Sequence, residues 1–412
     1  MRRQIEGSRA IAETVAACRP QVVPAYPITP QTHIVEALGT MAKEGALGSC
    51  RFLTVESEFA ALSAALGASA TGARAYTATA SQGLLYMAEV LYNVSGLGLP
   101  VVMTVANRAI GAPINIWNDQ SDAMSQRDCG WVQLYAEDNQ AAVGLHVLAF
   151  RLAEQLSVPV MVCVDGFVLT HAVEPIEVPD QAAVDGFLPP YQPRQQLDPD
   201  EPVTIGAMVG PEAFTEVRML SHLAQVRAVP ELAELAAEYA GATGHRVEAV
   251  SSYRTDGAST VLLTLGSVTG TARDLADELA EEGRQVGVVS LTLYRPFPLE
   301  QVRAALAGAE HVVVVERAFA PGLGGVVASD VLTALVGTPT RVSSVVAGLG
   351  GRAVTKAALR SALDDAEAGR LDDFGFLGVD LGLVDQEFLR AAGAHARAVS
   401  THDLGLPGPR RG

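Results

Sequence analysis

The chain has 412 residues, 49% of them hydrophobic and only 18% charged, which is enough apolar material for two or three well-buried domains. Its 46 acidic and 29 basic residues give a net charge of −17, which argues against a nucleic-acid binder because phosphate contacts need clustered Lys and Arg. No segment approaches the ~18 consecutive apolar residues of a membrane span, and the N-terminal MRRQIEGSRA lacks the apolar stretch of a leader peptide. The four cysteines, Cys18, Cys50, Cys129 and Cys163, form no C-x-x-C, so no local iron–sulfur or zinc motif exists and a reducing cytoplasm is expected. The eight histidines show no metal-ligand spacing, so no metal site is expected in this chain.

In chain order, Val22 to Tyr26 is a predicted strand and Thr32 to Lys43 has helical spacing. Phe52 to Val55 is a second strand, and Glu58 to Gly72 an Ala-rich helix suited to tight packing. AYTATA is a strand, Leu84 to Val94 a helix and PVVMTVA a strand; Asp138 to Leu156 is a helix and PVMVCVD the next strand. Strands alternating with helices imply a parallel sheet with crossover connections, and the continuous apolar strands imply burial on both faces. From Glu174 to Val203 the chain is rich in proline and acid and reads as an extended connector. A charged helical stretch follows from Phe214 to Tyr239, and a polar link ends near Gly257. The alternation then restarts: TVLLTLG is a strand, Thr269 to Glu282 a helix, QVGVVSLTL a strand, Leu299 to Leu306 a helix and HVVVVE a strand, followed by PGLGG and a helix to Leu335. The expected organisation is a parallel α/β domain over residues 1–175, a connector with a helical segment over 176–257, a smaller α/β domain over 258–370 and an extension over 371–412. The last residues, GLPGPRRG, are expected to fray.

Three places carry residues that suit chemistry. Tyr26-Pro27-Ile28-Thr29-Pro30 follows the first strand, at the carboxyl end where open α/β sheets bind ligands. Its prolines fix the backbone around Thr29, whose hydroxyl either faces a ligand or caps the next helix. Glu58 opens the Ala-rich helix and precedes a long stretch without a charged side chain, so it is either a helix N-terminal anion or a poised acid–base group. Arg108 ends the strand PVVMTVA-N and could hold a carboxylate through a two-pronged hydrogen bond, or form a structural ion pair with Asp119 or Asp122. Residues 109–126 read as a large functional loop. PGLGG does not match a dinucleotide fingerprint and reads as structural.

The segments YPITPQTHIVE, VESEFAALSAALGASATGARAYTATASQGLLYM, NRAIGAPINIWNDQSDAMSQRDCGW and VMVCVDGFVLTHAVEPIEVPDQ are similar to the alpha subunits of the pyruvate:ferredoxin oxidoreductase (pyruvate synthase) family. TLYRPFP, VVVVERAFAPGLGG and GLGGRAVT resemble the second domain of the same subunits, so several ordered motifs cover roughly residues 5–360. The resemblance implies an α/β fold in which a parallel-sheet, pyrimidine-binding thiamine-diphosphate domain precedes a smaller transketolase C-terminal-like domain. It implies reversible oxidative decarboxylation of pyruvate to acetyl-CoA and carbon dioxide, with electrons passed to ferredoxin. It implies that Thr29 contacts substrate and coenzyme in a loop shared with Pro27 and Ile28, that Glu58 activates the aminopyrimidine, and that Arg108 binds the substrate carboxylate.

Thiamine-diphosphate enzymes hold magnesium and the diphosphate with a G-D-G motif and a downstream Asn, whereas the VDGF and TDGA segments here lack the first glycine. The resemblance therefore implies a beta-type partner subunit carrying that motif, the Mg2+ and the iron–sulfur cluster, with the active site at the subunit boundary. Ferredoxin, the 2-oxoacid and coenzyme A are the other expected partners. Gln120 stands where His is frequent, Cys129 replaces a usual Thr, and Gly111 stands where Ser or Ala is common; these departures bear on the substrate. Alternatives are a branched-chain or aryl 2-oxoacid oxidoreductase, a non-redox thiamine enzyme, and a non-catalytic assembly subunit.

Overall fold

The strand Val102–Asn107 runs inside a five-stranded sheet with every residue buried, which is why it reads as an unbroken apolar run. The computed structural model describes residues 2–392, so GLPGPRRG lies outside the described residues. The first sheet has the order Leu293–Arg295, Val132–Tyr135, Val160–Asp165, Val102–Asn107, Tyr76–Thr79. The parallel pair Val22–Ala25 and Arg51–Thr54 continues it, through a bridge from Val22 to Ala75 and a 2.9 Å bond from the Thr77 hydroxyl to the Pro24 carbonyl. The chain thus moves outward from Val22–Ala25 to Arg51–Thr54, then returns to Tyr76–Thr79 on the opposite side. That reversal creates a switch point, and the loops after these strands meet there.

A second sheet has the order Phe374–Phe376, Arg341–Val346, His311–Glu316, Thr260–Leu265, Val286–Leu291, Val250–Tyr253. All its pairings are parallel except that of Val250–Tyr253 with Val286–Leu291. The α/β, parallel-sheet expectation is met. The two sheets share one apolar core, which runs from Leu62 and Leu84 through Trp131 and Tyr135 to Tyr294, Val289 and Val312.

Several elements differ from the sequence expectation for local reasons. QVGVVSLTL is two strands: Val286–Leu291 stays in the second sheet, whereas Leu293–Arg295 pairs antiparallel with Val132–Tyr135 in the first. Thr292 makes the handover, its carbonyl accepting from Tyr135 N at 2.7 Å and its N–H donating to the Ala249 carbonyl at 3.0 Å. Leu84 to Val94 is divided between the helices Ser81–Tyr86 and Ala88–Leu97 at Met87. The connector is not wholly extended, since Gln181–Phe187 is helical, while Val173–Ile176 at its start is a strand paired with Arg3–Glu6. The charged stretch is one long helix, Phe214–Thr243, with Pro230 inside it. Among the described residues, no helix is long and apolar enough to cross a membrane.

The halves are also tied by charge. Arg317 Nη1 lies 2.6 Å from Asp165 Oδ2, and both side chains are buried. Asp165 also accepts from Ser267 N at 2.8 Å and from the Gln120 amide at 3.0 Å. Arg273 grips Glu137 with two bonds of 2.6 and 3.0 Å. Removing one member of a buried pair leaves the other charged and uncompensated. Arg317→Met is expected to lower the stability of the full chain by about 3–5 kcal/mol, read as a lower urea midpoint; an unchanged midpoint would contradict a structural role for the pair.

Candidate functional site

The loop Tyr26–Pro30 is held at the switch point by Gln31, a fully buried residue. Its side-chain amide donates to the Ala78 carbonyl at 2.5 Å and to the Tyr26 carbonyl at 3.3 Å, while its oxygen accepts from Ile28 N at 3.3 Å. Pro27 and Thr29 are exposed and Ile28 is half-buried against the core. The loop therefore offers an open surface on a fixed backbone.

Arg108 leaves the end of Val102–Asn107 and turns its guanidinium onto this loop. Nη1 donates to the Thr29 carbonyl at 2.7 Å, and Nη2 lies 3.4 Å from the Gln82 side-chain oxygen. Nε is buried without a partner among the described residues. Neither Asp119 nor Asp122 pairs with the guanidinium; the Asp122 carboxylate instead accepts from the Arg108 main-chain N–H at 3.0 Å. Burial pushes the Arg108 pKa down, while Asp122 and Glu58 pull it up. The result is a buried cation whose protein acceptors are all neutral, which suits an anionic ligand.

Glu58 is the first residue of the helix Glu58–Ala70, whose N-cap is Ser57, accepting from Ala60 N at 3.1 Å. The capping duty thus falls on the serine and leaves the glutamate free. Glu58 is 9% exposed, and among the described residues its carboxylate makes no hydrogen bond or ion pair. It lies against Gly83, where a Cβ would fall 2.8 Å from Glu58 Cγ and Oε1 and 2.5 Å from Thr79 Oγ1. The Thr79 hydroxyl beside it is buried without a partner among the described residues. Tyr86, Tyr92 and Leu53 are exposed, and Tyr86 packs on Phe59, the residue after Glu58, with ring centres 5.9 Å apart.

Sequence reasoning missed the residues that join these parts. Asp122 is fully buried and accepts N–H bonds from Ser81 at 2.9 Å, the Asn107 amide at 2.8 Å, Arg108 at 3.0 Å and Ala123 at 2.7 Å. It fastens the strand end bearing Arg108 to the turn bearing Gln82 and Gly83. A-S-Q-G follows a strand at its carboxyl end, and that position was the available signal for Gln82 and Gly83.

Of the three departures, only Gly111 borders the Arg108 pocket, where a Cβ would fall 2.5 Å from Gln82 Nε2. Gln120 is a strut between the halves, its side chain on Asp165 and its N–H on the Arg317 carbonyl at 3.0 Å. Cys129 is buried in the shared core. PGLGG is structural: Gly324–Gly325 pairs with Phe319–Ala320, and Glu316 beneath it accepts from Ser344 Oγ at 2.6 Å and Val327 N at 2.7 Å.

Residues 13–237 match the family described as "Pyruvate flavodoxin/ferredoxin oxidoreductase, thiamine diphosphate-binding", and residues 258–359 match "Pyruvate:ferredoxin oxidoreductase core domain II". The pyruvate synthase subunit PorA of Methanosarcina barkeri is 42% identical over 88% of this chain and 92% of its own length. The pyruvate synthase subunit PorA of Pyrococcus horikoshii is 43% identical over 89% and 94%. The ketoisovalerate oxidoreductase subunit VorA of Pyrococcus abyssi is 36% identical over 90% and 96%. The solved 2-oxoglutarate:ferredoxin oxidoreductase from Magnetococcus marinus shares the fold with a TM-score of 0.67 at 20% identity, over 88% of this chain and 64% of that one. A split-gene transketolase shares it with a TM-score of 0.54 at 16% identity, over 89% and 99%.

Burial pushes the Asp122 carboxyl up to about 6, opposed by its N–H donors. An aspartate titrates near pH ~3.9 in an unfolded chain, so the folded form holds the proton more tightly. Protonation therefore favours the fold below about pH 4, and that stabilisation is lost as pH rises through about 6. Relative to Asp122→Asn, which cannot ionise, the parent chain is expected to lose about 2 kcal/mol of stability between about pH 4 and about pH 7. Paired denaturant titrations at each pH measure this, and a pH-independent difference would contradict it.

Proposed function

We propose, from the premise that this chain belongs to the pyruvate flavodoxin/ferredoxin oxidoreductase family, that it is the substrate-binding and coenzyme-activating subunit of a thiamine-diphosphate-dependent 2-oxoacid:ferredoxin oxidoreductase acting on pyruvate. One observation carries the reading: at the switch point a buried, unengaged carboxylate, Glu58, lies within electrostatic reach of a buried guanidinium, Arg108, that has only neutral acceptors.

The residues suit the coenzyme. The Glu58 carboxylate is free to engage a ring nitrogen, the orphaned Thr79 hydroxyl lies beside it, and Gly83 leaves a cradle that a methyl group would fill. Thiamine diphosphate, when bound, supplies the carbanion chemistry that lets the bond between a 2-oxo carbon and its carboxylate break and passes on the electrons left behind.

Glu58 would hold the pyrimidine ring and keep a proton shared at its carboxylate oxygen, a role that needs only one acid. Arg108 would bind the carboxylate of the oxoacid with the N–H groups left free by Thr29 and Gln82. Thr29, with Pro27 and Ile28, presents the loop surface that meets coenzyme and substrate. Asp122 sets the direction of Arg108 without touching either. The face with exposed Tyr86, Tyr92 and Leu53 is where a beta-type subunit would close the site. That subunit would bring the diphosphate and Mg2+ ligands and the iron–sulfur cluster, since G-D-G and C-x-x-C motifs are lacking here. Coenzyme A and ferredoxin complete the reaction, and the four free cysteines suit a reducing cytoplasm.

A second reading, a branched-chain 2-oxoacid as substrate, is favoured by the likeness to the ketoisovalerate oxidoreductase subunit. Assays of the purified complex on pyruvate and 3-methyl-2-oxobutanoate separate the two.

Glu58→Gln keeps size and loses charge, and is expected to lower kcat by about 10^2–10^4-fold while the complex still assembles; near-normal turnover would contradict the assignment. Arg108→Ala is expected to raise KM for the oxoacid by roughly 10–100-fold with coenzyme affinity nearly unchanged. Unaltered oxoacid kinetics would remove Arg108 from the substrate site.

A further inference from the structure

A second group of ligating side chains lies outside this site. Glu6 ends the strand Arg3–Glu6, His33 stands in the first turn of the helix Thr32–Lys43, and His171 follows the strand Val160–Asp165. Each offers one ligand atom, and these atoms lie within 4.8 Å of one another. Sequence spacing pointed to no metal site, because positions 6, 33 and 171 come together only through the fold.

The centroids of His33 and His171 are 4.6 Å apart with planes tilted by 36°. Glu6 Oε1 lies 2.7 Å from His33 Nδ1. His171 Nδ1 lies 2.7 Å from the Thr170 hydroxyl, which also accepts from Phe167 N at 2.8 Å. In the tautomer whose Nδ1–H donates to Thr170, the lone pair of Nε2 is left for an ion, and such a bond to the distal ring nitrogen orients metal-bound histidines. Phe167 packs on the same imidazole with ring centres 4.6 Å apart.

We propose that Glu6, His33 and His171 form a binding site for one divalent transition-metal ion, completed by water. Two imidazoles and one carboxylate match the ligand preference of zinc and its neighbours in the first transition series. The ion clips three segments distant in sequence: the N-terminal strand, the helix that follows the Tyr26–Pro30 loop, and the turn after Asp165. Phe167 of that turn also packs on Trp117 of the Arg108 loop, with ring centres 4.5 Å apart. The clip therefore braces the mouth of the proposed active site without entering it.

The test uses the full chain, stripped with a chelator and titrated with Zn2+ by calorimetry and with Co2+ by visible absorption. One ion per chain is expected, with a higher melting midpoint on loading. His33→Ala and His171→Ala are each expected to weaken uptake at least ~10-fold and to abolish the shift in midpoint. Exposed His222, elsewhere in the chain, serves as control, and His222→Ala is expected to match the parent. Should the metal-free midpoint of either alanine variant depart from that of the parent, Glu6→Gln takes its place. No uptake by the parent chain, or equal uptake by parent and site variants, would overturn the proposal.

Discussion

One buried carboxylate sets the geometry on which the candidate site depends. Asp122 collects N–H groups from the end of a strand, the start of the next functional turn and its own short helix. A buried anion left without donors costs several kcal/mol, so these segments can separate only at that cost. Arg108 is thereby aimed at the Thr29 carbonyl, and Gly83 is pressed against Glu58. The unengaged Glu58 and the Arg108 guanidinium, held only by neutral acceptors, stand near each other because a third charge, which meets no ligand, is fully engaged.

The loop that carries this anion is seated by the second half of the chain. Asn115 donates to the Gly350 carbonyl at 3.2 Å, Gly351 N donates to the Asn118 carbonyl at 2.9 Å, and Gln120 bonds both Asp165 and Arg317. The second sheet bears none of the proposed catalytic residues, yet its edge shapes the loop that positions one of them. The handover at Thr292, where one sequence run serves both sheets, makes the halves a single packed body rather than two units on a tether.

Much of this was legible in the sequence, and for identifiable reasons. Strands buried on both faces, such as PVVMTVA, cannot be mistaken for amphipathic elements, so the parallel architecture followed from periodicity. Thr29, Glu58 and Arg108 each follow the carboxyl end of a strand, where open α/β sheets bind ligands, so chain order made them candidates and the family resemblance supplied their roles. The contacts that depend on distant partners were not legible. An ion pair of Arg108 with Asp119 or Asp122 was one of two readings of that arginine, but Asp122 takes the arginine's main-chain N–H and leaves the guanidinium to other partners. Gln120 read as a departure bearing on the substrate and is a strut between the halves, because nothing in N-D-Q-S-D reveals Asp165 and Arg317 across the boundary. QVGVVSLTL read as one strand, since a β run that crosses from one sheet to another keeps its apolar pattern throughout.

The most direct test of the central claim is a structure of the assembled complex with thiamine diphosphate and a 2-oxoacid bound. A Glu58 oxygen within about 3 Å of a nitrogen of the pyrimidine ring, with the Arg108 guanidinium on the oxoacid carboxylate, is the expected result. A coenzyme ring bound away from Glu58, with that carboxylate still unengaged, would contradict it.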